Sequence, residues 1–378
     1  MATRTRRTAA AAAAVVLGSL ALAACGGDDE SGGGSGESAS SGGGNASVEA
    51  AQKIVDESSA DIAFKGPTEG PKPASGKSLA VVTCAAAASG CVRVATGVKE
   101  AGKLLGWNVR VLDGQGQAAG QNSAIQQAVS QGVDGIVLVA IDAKSVNQGM
   151  AAAKSKDIPV VSIQADNEVG TGTGQVFAEP DSGSKVAGSS LGAWTVVDSG
   201  GKAKAATLST TELVVTRNRA DSFKAEVEKC DGCKVVKQET YLLSSAIKDV
   251  PLKVSSMLQA NPDMQYLFVD VAQYGALAAQ AIQSAGKDVK VLSVDCNPDD
   301  LEAIRGGNSP VKACAGHALE TGGWAAVGAL NLALNGETDA SEFVVPTKLI
   351  DKDNAPEGDL WRGDFDPAAE YGKLWGVN

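Results

Sequence analysis

The chain has 378 residues, enough for two domains of ordinary size, and its net charge is −11 at neutral pH. No block of lysine and arginine offsets this acidity, which argues against nucleic acid as the main partner. Because His317 is the single histidine, a Ser-His-Asp triad or a zinc ion held by several histidines has little support.

The first 24 residues have the pattern of an export signal. Three arginines within the first seven residues precede an uncharged run over 8–24 that is rich in Ala, Val and Leu. The many alanines make a stable membrane span the weaker interpretation. The end of the run, Leu22-Ala23-Ala24-Cys25, resembles the lipobox of bacterial lipoproteins, whose cysteine is acylated and becomes the N-terminus. We therefore predict a signal peptide over 1–24 and a lipid on Cys25.

Residues 25–45 are rich in glycine and serine, and such a stretch is typical of a flexible tether because it cannot bury a core. Residues 46–76 follow as a predicted N-terminal helix and a proline-rich lead-in. Apolar residues recur at helical spacing between 46 and 63, and Pro67 is the first of the prolines that end this pattern.

From residue 76 onward, short apolar runs alternate with helical patterns about every 25 to 30 residues, as βαβ units do. The first series predicts strands at 79–83, 108–112, 135–139 and 158–163, with helices at 92–105, 118–131 and 143–156. The second predicts strands at 203–209, 235–240, 266–270, 289–295 and 312–316, with helices at 181–197, 218–229, 245–261, 272–285 and 298–305. The fold class is therefore α/β, with two doubly wound parallel sheets whose ligands bind beyond the carboxyl ends of the strands.

Several short motifs occur in the order and spacing of a known family. They are Gly97-Val98-Lys99-Glu100-Ala101, Leu112-Asp113-Gly114-Gln115, Gln131-Gly132-Val133-Asp134-Gly135-Ile136, Ile158-Pro159-Val160-Val161, Arg217-Asn218-Arg219-Ala220-Asp221-Ser222-Phe223, Val291-Leu292-Ser293-Val294-Asp295 and Gly322-Gly323-Trp324. From 76 to 335 the chain resembles the type I periplasmic solute-binding proteins related to ribose-binding protein. The resemblance implies two lobes joined by a three-segment hinge that close on a solute. The N-terminal lobe would comprise 77–178 plus 318–345, and the C-terminal lobe 179–317 plus 346–378.

The resemblance also implies site residues. Arg217 matches the family's ligand-binding arginine, whereas Arg219 is expected to be structural. Asp295 matches the aspartate at a strand end that accepts hydrogen bonds from sugar hydroxyls, and His317 stands at a hinge position that touches solute in the family. The alternatives are a solvated arginine for Arg217, a helix cap for Asp295 and a satisfied structural histidine for His317.

The chain departs from the family pattern at two loops. The loop Ala87-Ala88-Ser89-Gly90-Cys91 lacks the aromatic ring that sugar binders use for stacking, and Gln164-Ala165-Asp166-Asn167 replaces an Asp-Arg pair. We predict that the side chains of Ser89, Gln164, Asp166 and Asp270 complete the site. The small residues leave a larger or less polar cavity, so a polyol, a glycoside or a small aromatic-derived metabolite is a candidate ligand besides a free sugar.

Six cysteines remain after Cys25, and in an exported protein of this fold we expect them to form three local disulfides. The pairs are Cys84 with Cys91, Cys230 with Cys233, and Cys296 with Cys314. The alternatives are less favoured, because a zinc site needs four converging ligands and a thioredoxin-like Cys-x-x-Cys stands at the start of a helix, whereas Cys230 ends one.

The sequence thus predicts a lipid-anchored extracytoplasmic receptor on the bacterial cell membrane. It would bind a small polar, carbohydrate-like solute and deliver it to an ABC permease, as a monomer without catalytic activity, cofactor or metal ion. A lipoprotein of the same fold that reports its ligand to a membrane signalling partner is the alternative. An exported hydrolase is a third class, but nothing in the sequence singles out the pair of carboxylates that glycoside hydrolysis would need.

Overall fold

The computed structural model describes residues 42–377. The predicted signal peptide over 1–24, the lipidation site Cys25 and nearly all of the tether lie outside the described residues. Within the described residues, no helix combines the length and the apolar character that a membrane span requires.

Ten strands and eleven α-helices make up the described chain. The strands are β1 Ser78–Thr83, β2 Asn108–Asp113, β3 Gly135–Val139, β4 Val160–Ile163, β5 Lys204–Thr210, β6 Lys234–Tyr241, β7 Tyr266–Val269, β8 Lys290–Val294, β9 Val311–His317 and β10 Thr347–Asp351. The helices are α1 Gly42–Ser59, α2 Ser89–Leu105, α3 Ala118–Ser130, α4 Asn147–Lys154, α5 Ser184–Asp198, α6 Val214–Val227, α7 Ala246–Ala260, α8 Ala272–Ser284, α9 Pro298–Gly306, α10 Leu319–Leu334 and α11 Pro367–Trp375. Short 3₁₀ turns precede α4 and α7.

The strands form one sheet in each lobe. The first sheet has the order β2-β1-β3-β4 and is parallel throughout. The second has the order β10-β9-β8-β7-β5-β6, in which β10 alone runs antiparallel to its neighbour. Strands such as β3 and β7 are buried along their whole length because helices cover both sheet faces, which explains their continuous apolar sequences. The predicted α/β class with two parallel-sheet lobes is confirmed.

Every strand and helix predicted between 79 and 316 is present, and most boundaries agree to within three residues. The elements β10 and α11 were not predicted. Both follow the end of the βαβ rhythm, so no repeat pattern points to them. Strand β10 returns antiparallel beside β9, with Thr347 opposite His317.

The last helix corrects the predicted lobe boundaries. Residues 346–378 were assigned to the C-terminal lobe, but α11 packs in the hydrophobic core of the N-terminal lobe. The ring of Trp375 stacks on that of Trp324 in α10 with centroids 5.9 Å apart, and Tyr371 packs beside both rings. Burying these large aromatic surfaces holds the C-terminus on the first lobe. Strand β10, in the same predicted segment, does lie in the second lobe's sheet.

Helices α2 and α10 approach so closely that a side chain at the contact has no room. A Cβ on Gly97 would lie 1.8 Å from the carbonyl oxygen of Glu320, and one on Gly323 would lie 2.5 Å from the carbonyl oxygen of Val94. Helix backbone atoms cannot move aside as a flexible side chain can. This contact therefore fixes the distance at which α2 and α10 pack.

Gly97→Ala should therefore lower the free energy of unfolding by about 3 kcal/mol, at the upper end of the usual overpacking cost. Gly306→Ala is the matched control, because a Cβ there meets nothing within 4 Å and alanine favours the helical conformation. Urea unfolding followed by circular dichroism compares the two variants. Equal midpoints for both variants would contradict the close contact.

Candidate functional site

A cavity of about 810 Å³ opens between the two lobes, at the edges where the parallel strands end. The first lobe lines it with the loop 84–91 after β1, with 115–118 after β2 and with 139–142 after β3. The second lobe contributes Glu212, Leu213, Val215, Thr216, Arg219, Leu243, Ser244, Ser245, Ile247, Lys248, Val271, Gln273, Tyr274 and Asp295. The volume lies within the range of small-molecule pockets, and the position agrees with the rule for ligands of parallel sheets.

Arg219 is the best-connected polar residue of the cavity and is 4% exposed. Its Nη1 donates to the carbonyl oxygen of Asp270 at 2.9 Å, and its Nη2 donates to Gln164 Oε1 at 3.0 Å and to Asp295 Oδ1 at 3.2 Å. Its buried Nε has no hydrogen-bond partner among the described residues. The guanidinium therefore connects three segments of the chain at the base of the cavity.

The structure corrects the assignment of Arg217. Its side chain is exposed, donates to the carbonyl oxygen of Thr211, and is not among the residues that line the cavity. Successive helix residues are about 100° apart, so Arg217 and Arg219 point in nearly opposite directions from α6. The buried residues Val215 and Phe223 lie four positions on either side of Arg219, and this spacing in the sequence would have favoured Arg219.

Asp295 lines the cavity, as predicted. Its Oδ1 is 3.0 Å from Nδ1 of His317 in addition to its contact with Arg219. Burial acts to raise the pKa of Asp295, but the positive charge of Arg219 and the hydrogen bond with His317 outweigh burial and hold this pKa well below its usual range. The alternative of a helix cap is not what the structure shows, because Asn297 forms the capping box of α9.

His317 is fully buried behind Asp295 and does not line the cavity. Burial lowers the pKa of the imidazole, so the ring is neutral at pH 7. A neutral ring that donates from Nδ1 to Asp295 leaves Nε2 as an acceptor, and Nε2 has no partner in the described part of the chain. His317 orients the carboxylate of Asp295, and the predicted direct contact with solute is corrected to this indirect role.

Asp166 and Asp270, the two other carboxylates predicted for the site, also lie outside the cavity lining. Asp270 is fully buried, where it accepts from the backbone N–H of Thr210 at 2.7 Å and from the hydroxyl of Tyr241 at 2.5 Å. Only its carbonyl oxygen contacts Arg219. The side chain of Asp270 therefore supports the strand ends instead of facing a ligand.

Asp166 holds the chain where it crosses between the lobes. It accepts from the hydroxyls of Ser182 and Ser184 at 2.5 and 2.7 Å and from Nδ2 of Asn218 at 2.6 Å. With all of these donors supplied by the protein, Asp166 has a structural role in this arrangement.

Gln164 and Ser89 line the cavity as predicted. Gln164 accepts from Arg219 and donates to the carbonyl oxygen of Ser182 at 3.3 Å. Ser89 is exposed on the first lobe, and its Oγ accepts from Nδ2 of Asn297 on the second lobe at 3.3 Å. Tyr274, which the sequence analysis did not assign, also lines the cavity, and its ring packs edge-on against Tyr241.

The three predicted disulfides are confirmed. They join Cys84 to Cys91, Cys230 to Cys233, and Cys296 to Cys314. The first of them closes the loop that stands at the cavity without an aromatic residue, so this wall is built from a disulfide and small side chains.

A second buried ion pair lies beside the cavity base. Nε and Nη2 of Arg93 contact the two carboxylate oxygens of Glu320 at 3.0 Å each. The same guanidinium donates to the carbonyl oxygens of Asp295, His317 and Trp361 at 3.0, 3.3 and 3.2 Å, and so ties α2 to the second lobe. Each of the two ion pairs, Arg93 with Glu320 and Arg219 with Asp295, is neutral as a pair. The cavity base therefore carries no net charge.

The pKa of Asp270 makes a pH-dependent contribution to stability. Burial raises this pKa from 3.8 to about 7, although Tyr241 and Thr210 donate hydrogen bonds that act against burial. The folded state therefore keeps a proton that the unfolded state has already lost. Stability from Asp270 is fully present below about pH 4 and is lost as the pH rises towards 7.

Asp270→Asn keeps the shape and removes the titration, so the parent should lose stability relative to this variant by about 1.4 kcal/mol per pH unit across that window. Urea midpoints of the two proteins across the pH range measure this difference. Parallel pH profiles would show that Asp270 is ionised in the folded state throughout.

Two α/β lobes with a cavity at their facing strand ends define a type I periplasmic binding protein. The chain belongs to this family, because the periplasmic binding protein domain matches residues 79–338. The ribose import binding protein of Bacillus subtilis (strain 168) is 26% identical over 221 residues, which cover 57% of this chain and 68% of that protein. The ribose import binding protein of Escherichia coli (strain K12) is 26% identical over 256 residues, 67% of this chain and 83% of that protein.

Two solved structures share the fold. An ABC transporter solute binding protein from Agrobacterium vitis with bound allitol has a TM-score of 0.66 at 20% identity, and the match covers 73% of this chain and 96% of that one. One from Mycobacterium smegmatis with bound glycerol has a TM-score of 0.66 at 23% identity, over 75% and 99% of the two chains. Membership of this family confirms the prediction of a solute-binding protein that is not an enzyme.

Proposed function

We propose that the protein binds a neutral, polyhydroxylated small molecule, a sugar or a polyol, in the cavity between its lobes. The observation that carries this proposal is the cluster of Arg219, Asp295 and Gln164 at the cavity base. It offers guanidinium donors, carboxylate acceptors and an amide close together, as adjacent hydroxyls require. Because the charges are balanced within the protein, a ligand need not bring a compensating charge, which favours hydroxyls over a carboxylate.

The relatives support the same ligand class. Two of them are named as ribose import binding proteins, and a xylitol-binding protein of Mycolicibacterium smegmatis is 27% identical over 197 residues, 50% of this chain and 53% of that protein. A thermal-shift screen across pentoses, hexoses and alditols tests the class, since a ligand that binds only the folded state raises the melting temperature. Stabilisation by charged acids alone would overturn it.

Ligand delivery to an ABC permease is the second part of the proposal. At the cleft mouth Nδ2 of Asn297 on the second lobe donates to Oγ of Ser89 on the first, a single hydrogen bond between side chains that a change of lobe angle can break at little cost. Uptake of the labelled ligand should be lost in a deletion strain and restored by the parent gene. Unchanged uptake together with a lost transcriptional response to the ligand would favour the signalling alternative.

The lipid anchor at Cys25 is the third part, supported by the small residues before this cysteine and the Gly/Ser-rich tether after it. Cys25→Ser should move the protein from the membrane fraction to the medium or the extracytoplasmic space. Mass spectrometry of the N-terminal peptide shows whether an acyl chain is present. A Cys25→Ser variant that remains in the membrane to the same extent as the parent would contradict acylation.

A further inference from the structure

We infer that the ligand carries an apolar substituent next to its hydroxylated head, as a glycoside or another substituted sugar does. This inference rests on the proposed function and narrows its ligand class. It follows from two groups of lining residues of different chemistry, here called the polar zone and the apolar zone. The polar zone is the cluster of Arg219, Asp295 and Gln164. The apolar zone consists of the Cys84–Cys91 disulfide, Ala87, Ala88, Leu213, Leu243 and Ile247.

The apolar zone is formed by both lobes. On the first lobe it is the disulfide-closed loop, where methyl groups and sulfur face the cavity and no aromatic ring is available to stack on a sugar. On the second lobe it is Leu213, just before α6, together with Leu243 and Ile247 before and within the first turn of α7. There Ile247 lines the cavity and is 75% exposed, so a large apolar side chain is in contact with water.

The first lobe also lines the cavity with polar side chains, of which Gln115 and Gln117 are exposed. Gln121 donates to the carbonyl oxygen of Cys84, and Asp142 accepts from the backbone N–H of Lys144, so both have partners within their own lobe. Hydroxyls of a free sugar turned towards Leu213, Leu243 and Ile247 would lose water without gaining a hydrogen bond from these side chains, which is unfavourable. An apolar substituent there removes apolar surface of the protein and of the ligand from water, which is favourable.

The test compares three groups of probes by isothermal titration calorimetry. The first group is free ribose and glucose, the second is phenyl β-D-ribofuranoside and phenyl β-D-glucopyranoside, and the third is phenol and benzyl alcohol, which lack the hydroxylated head. We expect at least one phenyl glycoside to bind about tenfold or more tightly than its free sugar, as a well-covered apolar group does. The heat capacity change should be more negative for the glycoside.

Two variants locate the effect. Ile247→Ser should reduce the preference for the phenyl glycoside over the free sugar several-fold. Leu252→Ser is the matched control, because Leu252 lies on the same helix and is 61% exposed but is not among the residues that line the cavity. It should leave the preference unchanged. Equal losses in both variants would overturn the assignment of the apolar zone.

The outcomes separate this inference from the proposed function. If a free sugar binds as tightly as its phenyl glycoside, the inference fails and the proposed function stands. If only phenol or benzyl alcohol binds, or if no sugar, alditol or glycoside shifts the melting temperature, both fail.

Discussion

Replacing Arg219 with alanine should weaken binding of the sugar or polyol found in the ligand screen by roughly 30-fold to several thousand-fold. The variant loses the donors at the cavity base and leaves the carboxylate of Asp295 without its charged partner. It also leaves Gln164 Oε1 and the carbonyl oxygen of Asp270 without a donor that the parent supplies. Calorimetric titration of parent and variant with the same ligand measures the loss.

Arg217→Ala is the matched control for this experiment, since Arg217 is on the same helix two residues earlier and its side chain is in solvent. Its affinity should stay within about threefold of the parent, as for a surface position. Arg219→Lys should recover only part of the affinity, because lysine keeps the charge but not the planar fork. A large loss in Arg217→Ala with parent-like binding in Arg219→Ala would restore the assignment made from the family resemblance.

Replacing Arg93 with alanine should lower the free energy of unfolding by about 3 to 5 kcal/mol, the usual cost of leaving one member of a buried ion pair alone. Arg93 and Glu320 are 8% and 5% exposed, so the carboxyl group of Glu320 would lose its partner at a place with little water to solvate it. Three backbone carbonyl oxygens in the hinge region would lose their donor as well. Urea unfolding measures the change.

Arg362→Ala is the control for Arg93→Ala. Arg362 pairs with Glu100, also on α2, but these side chains are 45% and 38% exposed, and such pairs contribute about 1 kcal/mol or less. The double variant Arg93→Met with Glu320→Met should regain much of the stability, since neither buried charge remains. If Arg93→Ala lowers the free energy of unfolding no more than Arg362→Ala does, the ion pair of Arg93 and Glu320 does not stabilise the fold as a buried pair should.

The sequence by itself determined the parts of this protein that depend on local pattern. Apolar runs alternating with helical patterns located the strands and helices between 79 and 316 and thus the two parallel sheets. Cysteines close in sequence, such as Cys84 with Cys91, indicated disulfides whose ends any such fold brings together. Asp295 was identified from the resemblance to the family, and the rule that ligands bind at the carboxyl ends of parallel strands agrees with its place after β8.

Tertiary structure decided what depends on the direction of a side chain and on contacts distant in sequence. Arg219, not Arg217, faces the cavity because the buried face of α6 fixes the rotation of that helix against the sheet. Asp270 and His317 stand next to lining residues or strand ends in the sequence. Their side chains nevertheless form hydrogen bonds inside the second lobe, Asp270 with Thr210 and Tyr241, and His317 with Asp295. Helix α11 lies on the first lobe because its aromatic rings pack against Trp324. A local sequence pattern does not indicate which of two hydrophobic cores will bury an apolar helix face.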